Sequence, residues 1–278
     1  MCRLFGQVSS QNQSAHDFLL DGKWSLLKQS FLNKKHLQKD GWGLAHWDRG
    51  VWKVAKSPNP VYREKVKFSA LARNVRSKML VAHIRHASNP KKLKQHQLIS
   101  FSNTQPFTWK NLVFAHNGTL NIPDEVARTL GPYQKLMKGK NDSEALFWLF
   151  VKIWRETPSG GNTPSRWRTV FQRMVSENET VWSAIPRGKR RFKRPFRGLN
   201  MLASDGHSLA AHCLYEKKEI LSLCGQKRPY FQICYNVSAG RTSVASEPIT
   251  NSRDWKPLPN RTLLVLQPGR PCRTLRLH

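Results

Sequence analysis

Short apolar runs alternate with polar, glycine- and proline-bearing stretches along most of the chain. This pattern predicts many strands with a few amphipathic helices between them. Cys2 to Val8 predicts a strand. Ala15 to about Phe31, with Phe18, Leu19, Trp24, Leu26 and Leu27 apolar, predicts a helix. Asp40-Gly41-Trp42-Gly43 signals a turn, and Leu44 to Trp47 with Val51 to Ala55 form a hairpin across Asp48-Arg49-Gly50. Val66 to Val75 has helical spacing. Met79 to Ile84 is a buried-strand pattern ending in Arg85-His86-Ala87-Ser88. A polar loop follows from Asn89 to Thr108, then a short strand from Leu112 to Ala115 that ends in His116-Asn117-Gly118.

The middle of the chain predicts helices over Asp124 to Met137 and Trp167 to Trp182. Another begins at Asn141-Asp142-Ser143-Glu144, which has the form of a helix start: a polar cap, then acid in the first turn. From Leu199 onward short strands dominate: Leu199 to Ala203, Ser208 to Leu214, Glu219 to Cys224, Gln232 to Tyr235, Thr242 to Ala245 and Leu263 to Leu266. There is no internal repeat, and the connectors are too short to argue firmly for two domains.

Composition narrows the class. Hydrophobic residues make up 39% of the 278, with 10 tryptophans, which is globular rather than disordered. No apolar run approaches the ~18 residues that span a bilayer, and the N-terminus has no apolar signal core, so the cytoplasm is the expected location. The five cysteines are scattered and form no C-x-x-C pair, which suggests neither a disulfide framework nor a zinc knuckle. His83 and His116 have no third ligand at suitable spacing, so no metal and no cofactor are expected. Charge is the unusual feature. Forty-seven Lys and Arg against 17 Asp and Glu give a net charge of +30. Seven basic residues fall between Arg187 and Arg197, with Phe192 and Phe196 among them. Such a surface attracts polyanions, or it is a general solvated bias.

Candidate chemistry begins at Met1-Cys2-Arg3-Leu4-Phe5-Gly6. A small residue at position two permits removal of the initiator methionine, which gives one residue both a thiol and a free α-amine. That amine has a pKa of about 7.7–8.0 and can act as a base near neutral pH. Cys2, Arg85, Asn117-Gly118 and Asp142 all sit where regular elements are predicted to start or stop. Together they suit attack on an amide carbonyl. Cys2 supplies the nucleophile. The Asn117 amide and Gly118 N–H stabilise an oxyanion. Arg85 holds a carboxylate through its fork, and Asp142 pairs with an ammonium group. A substrate needing all of these is an amino acid attacked at its side chain, such as glutamine or a γ-glutamyl amide. Each residue also has a plain structural reading: Arg85 as an ion-pair residue, Asp142 as a helix cap, Asn117-Gly118 as a hairpin turn.

The ordered set Met1-Cys2-Arg3-Leu4-Phe5-Gly6, Asp40-Gly41-Trp42-Gly43, Ala82-His83-Ile84-Arg85, Ala115-His116-Asn117-Gly118 and Asn141-Asp142-Ser143-Glu144 resembles class II glutamine amidotransferases, which are N-terminal nucleophile hydrolases. Leu202-Ala203-Ser204-Asp205-Gly206, Val244 to Thr250 and Asp254-Trp255 resemble their stand-alone branch. The resemblance implies an α+β fold: a four-layer αββα sandwich of two mostly antiparallel sheets. It implies one amidotransferase domain over 1–278, with a basic loop insertion at about 186–198. It also implies a Cys2 thioester, an oxyanion hole of Asn117 and Gly118, and substrate binding by Arg85 and Asp142, with Ser88 near the substrate carboxylate. His86, Ser88, Asn89 and Asn141 depart from the residues usual in relatives, which leaves the substrate pocket's shape open.

Two functions follow as expectations. One is an amidohydrolase acting on a small molecule, glutamine or a γ-glutamyl compound, with any ammonia passing to a separate synthase. The other is a basic protein that binds nucleic acid or an acidic partner on the same fold.

Overall fold

The computed structural model describes residues 2–33, 37–159, 162–216, 229–238, 240–250 and 252–277. Among these described residues thirteen strands form two sheets in which every named pairing is antiparallel. In chain order they are β1 Arg3–Gln13, β2 Trp42–Asp48, β3 Val51–Ser57, β4 Ser77–Ile84, β5 Phe107–Trp109, β6 Leu112–Leu120, β7 Phe196–Ser204, β8 Leu209–Cys213, β9 Cys234–Ser238, β10 Arg241–Ala245, β11 Lys256–Pro257, β12 Thr262–Leu266 and β13 Arg273–Arg276. The first sheet runs β11-β9-β10-β1-β4-β2-β3 and the second β13-β12-β8-β7-β6-β5. The helices are α1 Leu26–Gln29, α2 Lys65–Asn74, α3 Gln95–Leu98, α4 Pro123–Arg128, α5 Asp142–Glu156 and α6 Thr163–Ala184.

Strand alternation sorts the core into layers. Leu4, Val8, Met79, Val81, Val113, Ala115, Leu202 and Ala211 pack between the two sheets. Their alternate neighbours Phe5, Leu80, Ala82 and Ile84 face outward onto Phe18, Leu26 and Phe68 of the first helical layer. On the other side Phe114, Met201, Ala203 and Ala210 meet Leu146, Phe150, Trp167 and Phe171 of α5 and α6. The result is the expected order of helix, sheet, sheet, helix. Residues β1 and β4 pair from Arg3↔Ile84 to Val8↔Met79, which sets the segment before β1 beside the segment after β4.

Several boundaries differ from expectation for identifiable reasons. The Ala15–Phe31 helix is a π-turn over Asp17–Asp21 followed by the short α1, because Ser25 caps a fresh start. Asp124–Met137 divides into α4 and a 3₁₀ turn at Gly131–Leu136, since Pro132 has no N–H to continue the ladder. The hairpin β2–β3 closes on Arg49 (φ 47°) and Gly50 (φ 87°), left-handed positions that a tight hairpin requires. Inside the expected polar loop, Phe107–Trp109 pairs with β6 as an edge strand, and α3 precedes it. Glu219 to Cys224 lies outside the described residues.

Candidate active site

At one end of the sandwich the chain entering β1 and the chain leaving β4 lie side by side. Cys2 precedes Arg3, whose partner in β4 is Ile84, and Arg85 follows Ile84. The Cys2 thiol is buried and donates to the His86 carbonyl oxygen at 3.4 Å. Burial pushes the thiol above its ordinary pKa. The His86 contact and the Arg85 charge oppose that rise, while Asp142 adds to it. Cys2, Arg85 and Asp142 therefore lie within electrostatic reach of one another.

Arg85 is held by backbone. Its Nη1 donates to Leu98 O at 2.9 Å and to Asp40 O at 3.4 Å. The Asp40-Gly41 turn clamps the same residue. Arg85 N donates to Gly41 O at 2.8 Å and Asp40 N to Arg85 O at 3.1 Å, while Asp40 Oδ2 accepts from Ala87 N at 2.7 Å. Burial lowers the guanidinium pKa, and Cys2, Asp40 and Asp142 oppose the shift. An arginine stays charged through such a change.

Asp142 opens α5, but Asn141 is the cap: its side chain accepts from Glu144 N at 2.9 Å. That leaves the Asp142 carboxylate for other partners. It accepts from Leu120 N at 2.9 Å, and Ser88 Oγ approaches both of its oxygens at 3.3 and 3.4 Å. Ser88 and Asp142 are thus brought together across the mouth of the sandwich.

Asn117 and Gly118 differ from the sequence expectation in position. They lie inside β6, which runs on to Leu120, rather than at its end, and pair with Asn200 and Leu199 of β7. Asn117 shares parity with Val113 and Ala115, so its side chain points between the sheets. Its Nδ2 reaches Ser246 Oγ at 3.5 Å, and its buried Oδ1 has no hydrogen-bond partner. Ser246 in turn accepts from Leu4 N at 2.9 Å and donates its own N–H to Leu4 O at 3.0 Å. One hydroxyl therefore ties the second sheet to the residue two places beyond Cys2. Gly118 is required by its neighbours, because a Cβ there would lie 1.8 Å from Gly198 O and 2.6 Å from His116 Nε2.

The sequence reading missed three supports. Ser246 links Asn117 to β1. Arg3 is fully buried, donates to Cys2 O at 3.2 Å, faces Glu247 at 3.8 Å and lies 4.5 Å from the Tyr230 ring centroid. Asp40 aligns Arg85 rather than only forming a turn. The Val244 to Thr250 motif, which contains Ser246 and Glu247, was the available signal for the first two. His116 packs behind the site, 2.9 Å from Ser143 Oγ and 3.1 Å from Gly198 O. His83 lies between the sheets, its pKa pushed down to about 3 by burial first and Arg85 second, so it is neutral.

A cavity of about 350 Å³ opens beside this corner, lined by Lys39, Asp40, His86, Asn89, Leu98 and neighbours. His86 and Asn89 are two of the positions that depart from the usual residues. Pocket shape and departure from pattern therefore coincide.

The family model of class II glutamine amidotransferases matches residues 1–277. The chain belongs to this family. Among curated relatives, an uncharacterized protein of Methanocaldococcus jannaschii is 26% identical over 257 residues, covering 86% of this chain and 64% of that one. The probable glutamine amidotransferase DUG3 of Saccharomyces cerevisiae is 26% identical over 168 residues, covering 54% and 45%. The gamma-glutamyl-hercynylcysteine sulfoxide hydrolase of Mycobacterium tuberculosis is 30% identical over 136 residues, covering 48% and 54%. The amidotransferase chain thus matches under two thirds of each relative's length. Among solved structures, a class II glutamine aminotransferase domain protein from Silicibacter pomeroyi superposes with TM-score 0.65 at 18% identity, covering 100% of both chains. The glutamine phosphoribosylpyrophosphate amidotransferase of B. subtilis superposes with TM-score 0.60 at 14% identity, covering 100% of this chain and 49% of that one. These likenesses show a shared fold. Among the described residues no helix is long and apolar enough to cross a membrane.

Proposed function

We propose that this amidotransferase hydrolyses the side-chain amide of glutamine or of a γ-glutamyl compound through a thioester on Cys2. The observation that carries the reading is the meeting of Cys2, Arg85, Ser88, Asp142 and Asn117, drawn from four separate segments, at one end of the sandwich. Arg85 takes the substrate α-carboxylate and Asp142 the α-ammonium, with Ser88 between them. The δ-carbonyl then lies over Cys2.

Burial keeps the Cys2 thiol protonated near neutral pH, so its proton needs an acceptor. With Met1 removed, the α-amine of the same residue is that acceptor. Sγ attacks the carbonyl carbon, and the developing oxyanion is met by Asn117 Nδ2 and the Gly118 N–H. The 3.5 Å contact from Asn117 Nδ2 to Ser246 is long, so little is lost when Nδ2 turns to the oxyanion. Collapse breaks the C–N bond, and the ammonium proton goes to the leaving amine. Water then attacks the thioester, giving its proton to the amine and releasing glutamate with the thiol restored. The net reaction is amide plus water to glutamate plus ammonia or an amine. Where ammonia is the product, a separate synthase would consume it.

The test is glutamate release by the purified protein from glutamine and from γ-glutamyl peptides, after confirming loss of Met1. Release that disappears in Cys2→Ala is expected. Absence of release from every substrate by Met1-processed protein overturns the reading.

A further inference from the structure

The segment between α3 and β5 carries three consecutive buried polar residues, Asn103, Thr104 and Gln105. Polar side chains buried in a connecting segment destabilise the fold unless each polar group is matched. Two of the three are matched to groups at the active site. Gln105 grips β6 at His116, the residue before Asn117: its Oε1 accepts from His116 N at 2.6 Å and its Nε2 donates to His116 O at 3.3 Å. Asn103 reaches two further elements. Its Nδ2 donates to Gln97 O at 2.7 Å and to Leu98 O at 3.1 Å. Its Oδ1 accepts from Lys140 N at 2.8 Å and from Asn141 N at 3.2 Å, and Asn141 Nδ2 donates back to Asn103 O at 2.8 Å.

An asparagine side chain offers two donors and two acceptor lone pairs, and Asn103 uses all of them. The groups it joins are those that set the substrate-binding charges. Leu98 O also accepts from Arg85 Nη1 at 2.9 Å. Asn141 is the cap of α5 and stands one residue before Asp142. One buried amide therefore lies between the anchor of the Arg85 guanidinium and the helix start that carries the Asp142 carboxylate. The space around it is closed, since a Cβ on Gly139 would lie 2.2 Å from Asn103 Oδ1 and 2.8 Å from Glu144 Oε2. Glu144 accepts from Lys138 N at 2.7 Å and Gly139 N at 2.6 Å, which fastens this loop to the first turn of α5. Removing the Asn103 amide would leave Lys140 N and Asn141 N without that acceptor and would free the Leu98 carbonyl from α5.

We propose that Asn103 is a positioning residue that fixes the spacing between Arg85 and Asp142, so that a substrate's α-carboxylate and α-ammonium are gripped together. This rests on the amide-hydrolysis reading and assigns the residue behind its head-group selectivity. Asn103 itself touches neither substrate charge. A two-headed ligand gains from simultaneous contact only when both partners stand at the matching separation. A one-headed ligand needs no such match, because it settles on Arg85 or on Asp142 alone.

Calorimetric binding to the full chain carrying Cys2→Ala tests this without turnover. The probes are L-glutamine, glutaramate, which lacks the ammonium, and 4-aminobutanamide, which lacks the carboxylate. Adding Asn103→Leu should weaken L-glutamine about tenfold or more and each one-headed amide less than about threefold. Gly139→Ala, which crowds Asn103 Oδ1 and leaves its chemistry intact, should give the same pattern and serves where Asn103→Leu fails to fold. With Cys2 intact, Asn103→Leu should raise KM for the reacting γ-amide about tenfold or more while kcat falls less than about threefold. Equal weakening of all three probes, or of none, overturns the proposal, because a merely structural role does not sort ligands by head group. Weakening of L-glutamine with only one of the two truncated amides also overturns it, since Asn103 then serves Arg85 or Asp142 alone. Failure of L-glutamine to bind the parent protein overturns it too, while glutamate release from a γ-glutamyl peptide would still uphold the reading of the reaction. No turnover by Met1-processed protein, with the three-probe pattern intact, marks the hydrolysis reading as the fault and leaves the positioning role standing.

Discussion

The Cys2 corner and the Phe192–Arg197 rim lie near each other but are built in opposite ways. At the corner Arg85, Asp142 and Asn117 are buried, with the Arg85 side chain held by the Leu98 and Asp40 carbonyls and the Asp142 carboxylate by Leu120 N. At the rim Lys193, Arg194 and Arg197 are exposed, while the backbone is held to Asn121 at Arg194 and Pro195 and to Glu216 at Arg197. Preorganised groups do chemistry because they need no rearrangement as charge develops. Exposed charges contribute little to the stability of the fold.

The sharpest way to break that comparison is at the corner. Cys2→Ala should lower kcat for glutamate release by about 10⁴-fold or more, measured against a no-enzyme baseline. Asn117→Ala should cost about 10²–10³-fold in kcat with little change in KM, because its donor acts on the oxyanion. A loss confined to KM would place Asn117 in ground-state binding instead. Arg85→Lys should raise KM for glutamine about 10- to 100-fold, since an ammonium cannot reproduce the fork. Equal KM values in the two proteins would remove Arg85 from carboxylate binding.

A gentler probe is stability against pH. His83 has a folded pKa of about 3 against an ordinary 6.5, so below 6.5 the unfolded chain binds the extra proton and the folded chain does not. Stability is whole above pH 6.5 and falls as pH drops toward 3, with His83 accounting for about 2 kcal/mol between pH 7 and pH 5. Urea unfolding at the two pH values checks this, and His83→Gln should remove that share of the slope. The smallest effect belongs to the rim: Lys193→Gln should change unfolding free energy by about 0.5 kcal/mol or less. A larger loss would mean the rim is as rigidly built as the corner.

The same contrast explains what the sequence disclosed. Cys2, Arg85 and Asp142 were legible because each borders a regular element with a strong local pattern. The short apolar runs Met79 to Ile84 and Leu112 to Ala115 likewise marked β4 and β6 as buried strands. Asn117-Gly118 was read at the end of a strand, whereas pairing with β7 and the close approach of Gly198 carry the strand through it to Leu120. Ser246, Arg3 and Asp40 were hidden as supports because their partners are distant in sequence; Ser246 meets Leu4 across 242 positions. Helix breaks at Ser25 and Pro132 carried visible signals that apolar spacing outweighed. The β5 edge strand is three residues long, too short for any periodicity to announce.

The central claim is that one terminal residue carries both nucleophile and base. The most direct test is the intact mass of the purified protein before and after a glutamine-analogue electrophile such as a diazoketone. The account predicts a mass lacking Met1, then a single adduct located on Cys2 that excess glutamine prevents. A retained methionine in fully active protein, or an adduct on Cys213, Cys224, Cys234 or Cys272 with Cys2 untouched, would contradict it.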